Sequence, residues 1–143
     1  MRIADKGIEL IKHFEGYRDV AYICAGGKWT IGYGHTQGVK GGDKVTKAQA
    51  EVFLKQDVKD AEDAVNNLIS APLTQNQFDA LVSLVYNIGS GNFYNSTVRR
   101  LINEQCSDMG RIKRAFLMWK RANGITLSGL IRRREAEFEL FSK

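Results

Sequence analysis

The segment from Gln75 to Ile88 is apolar on nearly every side: Phe78, Ala80, Leu81, Val82, Leu84, Val85 and Ile88 leave it little wet surface. A helix of that kind is stable only when other elements surround it, so it must be the buried centre of whatever this chain forms. Its ends are marked. Thr74 and Gln77 make a capping box, Gly89 is a C-cap, and Pro72, the only proline, sets a boundary before it. The elements to surround it are legible on either side. A first helix runs over about Ala4 to Phe14, with Ile8, Leu10, Ile11 and Phe14 inward. Thr46 and Gln49 form a second capping box, opening a helix from Lys47 to about Leu68. In that helix Val52, Leu54, Val58, Ala61, Val65 and Leu68 recur at threes and fours, and Asp57 sits with its other charged residues on the solvated side. Ser96 caps a short helix, Thr97 to Asn103. Another covers about Met109 to Ala122, with Ile112, Ala115, Phe116 and Trp119 inward and Asn123-Gly124 as its stop. Ser128 caps the last, Gly129 to Phe141.

Between the first two helices the pattern changes. Ala21 to Cys24 reads as a strand, Gly26-Gly27 as a turn, and Trp29 to Tyr33 as the return strand. On the return strand Trp29, Ile31, Tyr33 and His35 share one face. Thr30, Gly32 and Gly34 share the other, which is stripped of bulk so that a ligand or another backbone can come close. The region from His35 to Val45 is rich in glycine and lysine and reads as a third short strand or a loop. The fold class is therefore α+β: a single domain over 1–143, with a small lobe at about 15–45 carrying a short antiparallel sheet. A larger helical lobe at about 69–143 takes in the first helix, and the long Lys47–Leu68 helix joins the two.

Glu15 stands at the end of the first helical pattern, directly before Gly16. Carboxylates are disfavoured at helix C-termini, where the backbone carries partial negative charge. One held there and partly buried is expected to keep its proton to a higher pH, which suits a general acid. Cys24 and Thr30 flank the turn and can look into the same cleft. On pattern alone, Cys24 in Tyr-Ile-Cys-Ala reads as a small core residue more readily than as a catalytic one.

Lys+Arg 21 against Asp+Glu 16 gives a net charge of +5, which favours anionic partners. Two cysteines, Cys24 and Cys106, and two histidines offer no metal-ligand spacing and no disulfide framework, so no metal or cofactor is expected. The start of the chain has no apolar core of a signal peptide, and no run approaches the ~20 apolar residues of a membrane span. Synthesis in a cytoplasm is the expectation.

Glu15, Cys24 and Thr30 form E-x8-C-x5-T, followed by T-I-G-Y-G-H-T at 30–36. This resembles the phage-type lysozymes, the endolysins of glycoside hydrolase family 24, whose signature is E-x8-(D or C)-x5-T with G-x-G-H after it. Further segments resemble the family in family order: Pro72 to Leu81, Tyr86 to Gly89, Ala115 to Trp119, and Gly129 to Arg134. The resemblance covers essentially the whole chain. It implies a lysozyme-like fold and hydrolysis of the β-1,4 link between N-acetylmuramic acid and N-acetylglucosamine. By resemblance Glu15 is the acid, Cys24 takes the position where many relatives have Asp, and Thr30 helps hold the attacking water. Tyr86 and Ser96 match positions lining the sugar cleft. Either Arg133 or Arg134 pairs with Glu15, and such a pair would lower the Glu15 pKa against the helix-end effect. His35 is a supporting, hydrogen-bonding residue. Cys24 can serve as a base, as a thiolate stabilising a cation-like transition state, or as a nucleophile.

The implied partner is the glycan strand of peptidoglycan, met as a monomer after release from the host cytoplasm through a holin-type pore. The basic terminal helix, with Arg132 to Arg134 beside Ile131, Phe138 and Phe141, can also contact an anionic cell envelope. Nucleic acid is a competing partner on charge alone. No helix-turn-helix is recognisable, and the basic residues are scattered rather than set on one face.

Overall fold

The computed structural model describes Met1–Lys143. In chain order the elements are α1 (Asp5–Glu15), β1 (Arg18–Ile23), β2 (Trp29–Gly32), α2 (Lys47–Leu68), α3 (Gln75–Ile88), α4 (Ser90–Tyr94), α5 (Thr97–Asn103), α6 (Met109–Leu117), β3 (Arg121–Ala122), β4 (Ile125–Thr126) and α7 (Ser128–Phe141). The class is α+β, with two small antiparallel sheets of two strands each. The chain divides into two compact units. One is Ile11–Lys59; the other is Met1–Leu10 with Asp60–Lys143.

In the helical unit α3 is the centre. Every residue from Phe78 to Val85 is buried, polar Asp79 and Ser83 included. The Thr74–Gln77 capping box is present in both directions, and Gly89 closes the helix at φ 88°. One oxygen of the buried Asp79, Oδ1, accepts from the Ala4 N–H at 3.0 Å and from Gln75 Nε2 at 2.8 Å, while Oδ2 is buried with no hydrogen-bond partner. Glu62 likewise accepts from the Ile3 N–H at 2.7 Å. Buried carboxylates need such donors, and here they fix the entry to α1. Against α3 lies α7, whose Phe138 and Phe141 pack with Phe116 of α6.

Three sequence expectations are corrected here. The helix after Met109 ends at Leu117, not Ala122, and Trp119 beyond it is only half-buried. Asn123-Gly124 is not a helix stop but the turn of the β3–β4 hairpin, pairing Ala122 with Ile125 and Arg121 with Thr126. Both turn residues have positive φ, 52° and 77°, which a two-residue hairpin of the right twist demands and which Asn and Gly tolerate best. Ser128 is the first residue of α7 rather than its cap. The preceding Leu127 takes that place through its carbonyl, which accepts from the Leu130 and Ile131 N–H groups.

In the Ile11–Lys59 unit, β1 and β2 pair with Tyr22 opposite Thr30 and Ile23 opposite Trp29, with an irregularity towards Arg18. The segment after His35 is a loop that lends the hairpin an edge. Val20 bridges Lys44, the Ala21 N–H donates to Asp43 O, and the Val45 N–H donates to Asp19 O. The return strand is shorter than expected. It stops at Gly32, and the chain doubles back so that Ile31 and His35 exchange both backbone hydrogen bonds at 2.9 Å. Gly32 and Gly34, at φ 63° and 87°, permit that turn.

Candidate active site

Glu15 is the last residue of α1, half-buried, and Gly16 after it adopts φ 71° while its N–H donates to Lys12 O at 2.9 Å. The helix end that the sequence places here is therefore real, and it delivers the carboxylate just ahead of the hairpin. The helix is fixed near this point by Lys12, which bonds Glu51 of α2 at 2.6 Å and lies 5.3 Å from the Tyr33 ring centroid. Tyr17, two residues past Glu15, donates its hydroxyl to Val45 O and packs on Tyr33.

Cys24 lies just beyond β1, in the turn rather than in the strand, and its side chain is half-buried. The turn is closed by its own backbone: the Cys24 N–H donates to Lys28 O at 2.9 Å and the Gly27 N–H to Cys24 O at 2.8 Å. The sulfur is held below the ordinary thiol pKa, first by a hydrogen bond with the Thr30 side chain and then by the Lys28 and Gly26 amides. Thr30 itself is 3% exposed and donates its hydroxyl to Lys28 O at 3.0 Å. The hairpin pairs Thr30 with Tyr22, two residues before Cys24, so Thr30 and Cys24 belong to one turn.

At Gly32 the bare face of β2 takes the second of the two uses expected of it, the close approach of another backbone. A Cβ on Gly32 would sit 3.0 Å from the Ala50 Cβ, so the missing side chain makes room for α2. His35 is buried, as a supporting residue should be. Its Nδ1 is 2.8 Å from Asp57 Oδ2, and its ring stacks on Phe53 at 4.2 Å and 11°. Asp57 is therefore a fixing contact between loop and helix, not one more solvated acid of α2.

The remaining candidates lie in the helical unit. Tyr86 is half-buried on α3. Ser96 is buried and caps α5: its hydroxyl accepts from the Arg99 N–H at 3.1 Å and donates to Phe93 O at 2.8 Å. Its one proton is thus engaged. Of the three arginines on α7, only Arg132 is exposed. Arg133 and Arg134 are buried around Glu137, with Arg133 Nε 3.2 Å from Oε2 and Arg134 Nε 2.9 Å from Oε1. Ser83 donates to the same carboxylate at 2.6 Å, and Arg134 Nη2 donates to Asn87 at 2.6 Å. Sequence reasoning missed Glu137. Its spacing from both arginines was the available signal. Burial raises the Glu137 pKa, and the two guanidiniums and Ser83 oppose that. Two arginines that cannot give up a proton favour the carboxylate as their partner. Glu137→Gln should therefore lower unfolding stability by about 3–5 kcal/mol, because it strands buried positive charge. Urea denaturation measures this; a loss below about 1 kcal/mol would show that the charge is met without Glu137.

A helix-terminal glutamate followed by a two-stranded hairpin in one unit, and a second unit centred on an apolar helix, define a lysozyme-like protein. The comparisons agree. The Phage lysozyme family model matches residues 12–137. The endolysin of Acyrthosiphon pisum secondary endosymbiont phage 1 is 46% identical over 145 residues, covering 99% of this chain and 98% of that protein. The muramidase domain of SpmX from Asticaccaulis excentricus superposes with a TM-score of 0.91 at 44% identity, over 99% of this chain and 98% of that one. The endolysin of Bacillus phage B103 is longer: it is 39% identical over 99% of this chain, which spans 54% of its length. The chain belongs to the phage lysozyme family.

Proposed function

We propose that the chain is an endolysin that hydrolyses the β-1,4 bond between N-acetylmuramic acid and N-acetylglucosamine in peptidoglycan. The observation that carries this reading is the hairpin directly after the Glu15 helix end, in which Cys24 closes the turn and buried Thr30 stands on the return strand opposite Tyr22. The whole-length likeness to an endolysin and to a muramidase domain supports it. Glycoside hydrolysis needs a proton for the leaving oxygen and a second group to deal with water or the sugar carbon. Glu15 supplies the proton. Thr30, with a hydroxyl that both donates and accepts, orients the water. Cys24, its thiolate favoured, activates that water or stabilises the positive charge that grows on the sugar.

The reading includes a monomer that works without metal or cofactor and reaches the wall after release from the cytoplasm. Passage through a separate, holin-type pore is part of this reading. No helix of the chain is long and apolar enough to cross a membrane. The envelope contact assigned to α7 would rest on Arg132 and its exposed neighbours, since Arg133 and Arg134 are engaged inside.

The test is chemical. Purified sacculi treated with the protein should lose turbidity and yield new reducing ends, and borohydride reduction should convert those ends to muramicitol. Solubilisation with free amino groups in place of new reducing sugar would assign the chain to an amide bond of the wall, and solubilisation with neither would mean that the same glycosidic bond is cut without water, closing an internal anhydro ring.

A further inference from the structure

Towards its turn the first hairpin pairs Tyr22 with Thr30 and Ile23 with Trp29, and the Cys24 N–H, donating to Lys28 O at 2.9 Å, sets Cys24 opposite Lys28. Successive pairs of an antiparallel ladder face opposite ways. Cys24, Lys28 and Thr30 therefore share one face, and Trp29 stands on the other. Lys28 is fixed in that place by its own carbonyl, which also accepts from the Thr30 hydroxyl at 3.0 Å.

The Lys28 side chain is exposed and takes part in no ion pair. No acidic residue occurs from Val20 to Gly42, and the Asp43 carboxylate beyond them is turned to the Lys40 N–H at 2.8 Å. The Cys24 thiol does not use the ammonium either. Its lowered pKa comes first from the Thr30 side chain and then from the Lys28 and Gly26 backbone. A cation on the face of Cys24 and Thr30 is thus left for the substrate.

The chemistry of the wall narrows what that cation meets. A strand of N-acetylated sugars is neutral where each muramic acid is amide-linked to its peptide. The free carboxylates sit on the peptides, one peptide to every second sugar. We propose that Lys28 is a specificity residue, whose ammonium pairs with a carboxylate of the peptide borne by the muramic acid at the bond to be cut. The inference rests on the muramidase reading and deepens it, since it makes the peptide part of what the hairpin recognises. The pair is solvent-exposed, so it contributes up to about fivefold in binding and weakens with salt.

The test removes the charge from each side in turn. Sacculi are used native, or with their peptide carboxylates converted to neutral methylamides by carbodiimide and methylamine. For the wild type, KM, expressed as sacculus concentration, should rise about fivefold on the amidated wall. Lys28→Gln keeps the carbonyl that Cys24 and Thr30 use. Its KM should be raised about fivefold on native sacculi and rise no further on amidation, and the loss should sit in KM rather than in kcat. Lys28→Arg should behave as wild type. A Lys28→Gln variant with wild-type KM on native sacculi overturns the proposal. So does one that still responds to amidation by the wild-type factor, because the two charges then meet other partners. A fall in kcat of equal size on both walls would trace to the turn and overturns it too, as does a Lys28→Arg as weak as Lys28→Gln. If the wild type releases no reducing ends from native sacculi, the muramidase reading falls and this inference with it. Normal hydrolysis indifferent to Lys28 sinks this inference alone.

Discussion

Glu15→Gln should abolish wall hydrolysis while leaving the protein folded. The amide has the shape of the carboxyl and can keep its place at the end of α1, before the left-handed Gly16. It lacks the acidic proton. General acid catalysis by a placed carboxyl is worth roughly 100- to 10,000-fold, so the rate on sacculi should fall by that factor. The thermal midpoint should move little, because the side chain is only half-buried and lies at a helix end rather than in the apolar core. Circular dichroism and turbidity on one preparation separate the two effects. A well-folded variant that keeps more than about 5% of the wild-type rate would remove Glu15 as the acid, because no substitute on an amide can donate so well.

Much of the fold is legible because its helices announce their own ends. The Thr46–Gln49 and Thr74–Gln77 boxes and the Ser96 cap all form as the spacing requires, and each fixes a boundary within a residue. Where one signal has two uses, the sequence misleads. Asn-Gly ends helices and also makes two-residue hairpins, and strands as short as Arg121–Ala122 leave no alternation to decide between them. The glycines of β2 show the same ambiguity in the site. An absent side chain admits a ligand or a neighbouring helix, and only the position of Ala50 tells which. Charge is harder still. An Arg and a Glu four apart on a helix usually mean a solvated pair. That Arg133, Arg134 and Glu137 are all buried follows from α7 packing on α3, which no local pattern records. The proposed catalytic triplet stands out through its spacing. The lowered pKa of Cys24 does not, since it depends on the turn setting the Thr30 side chain and the Lys28 and Gly26 backbone near one sulfur.

That arrangement makes Cys24 the most informative residue to change. Cys24→Asp should remain active, because a carboxylate in the turn can activate water or stabilise positive charge as a thiolate does. Cys24→Ala should fold and be severely impaired, since alanine fits the half-buried turn and offers no lone pair. Cys106, half-buried in the helical unit, should tolerate alanine. Acidity gives a second readout. The pKa of Cys24 is lowered, so its thiolate prevails above that depressed value and is lost as pH falls through it. Alkylation of Cys24 should therefore reach half its maximal rate at a lower pH than that of an ordinary exposed thiol such as a free cysteine measured alongside. Thr30→Val, which removes the largest cause, should move that midpoint upward. If the thiolate is the working form, the acid limb of the activity profile follows the same midpoint. In Cys24→Asp the limb should then move down towards the carboxylate range of about 3.9. A Cys24→Ala variant that cleaves sacculi at the wild-type rate would place the second catalytic group elsewhere and reduce the triplet to Glu15 and Thr30. Should it be impaired as expected, the anomer of the product separates the remaining roles. Inversion means that water attacked the sugar with Cys24 as base or charge stabiliser, and retention means that sulfur formed a covalent glycosyl intermediate first.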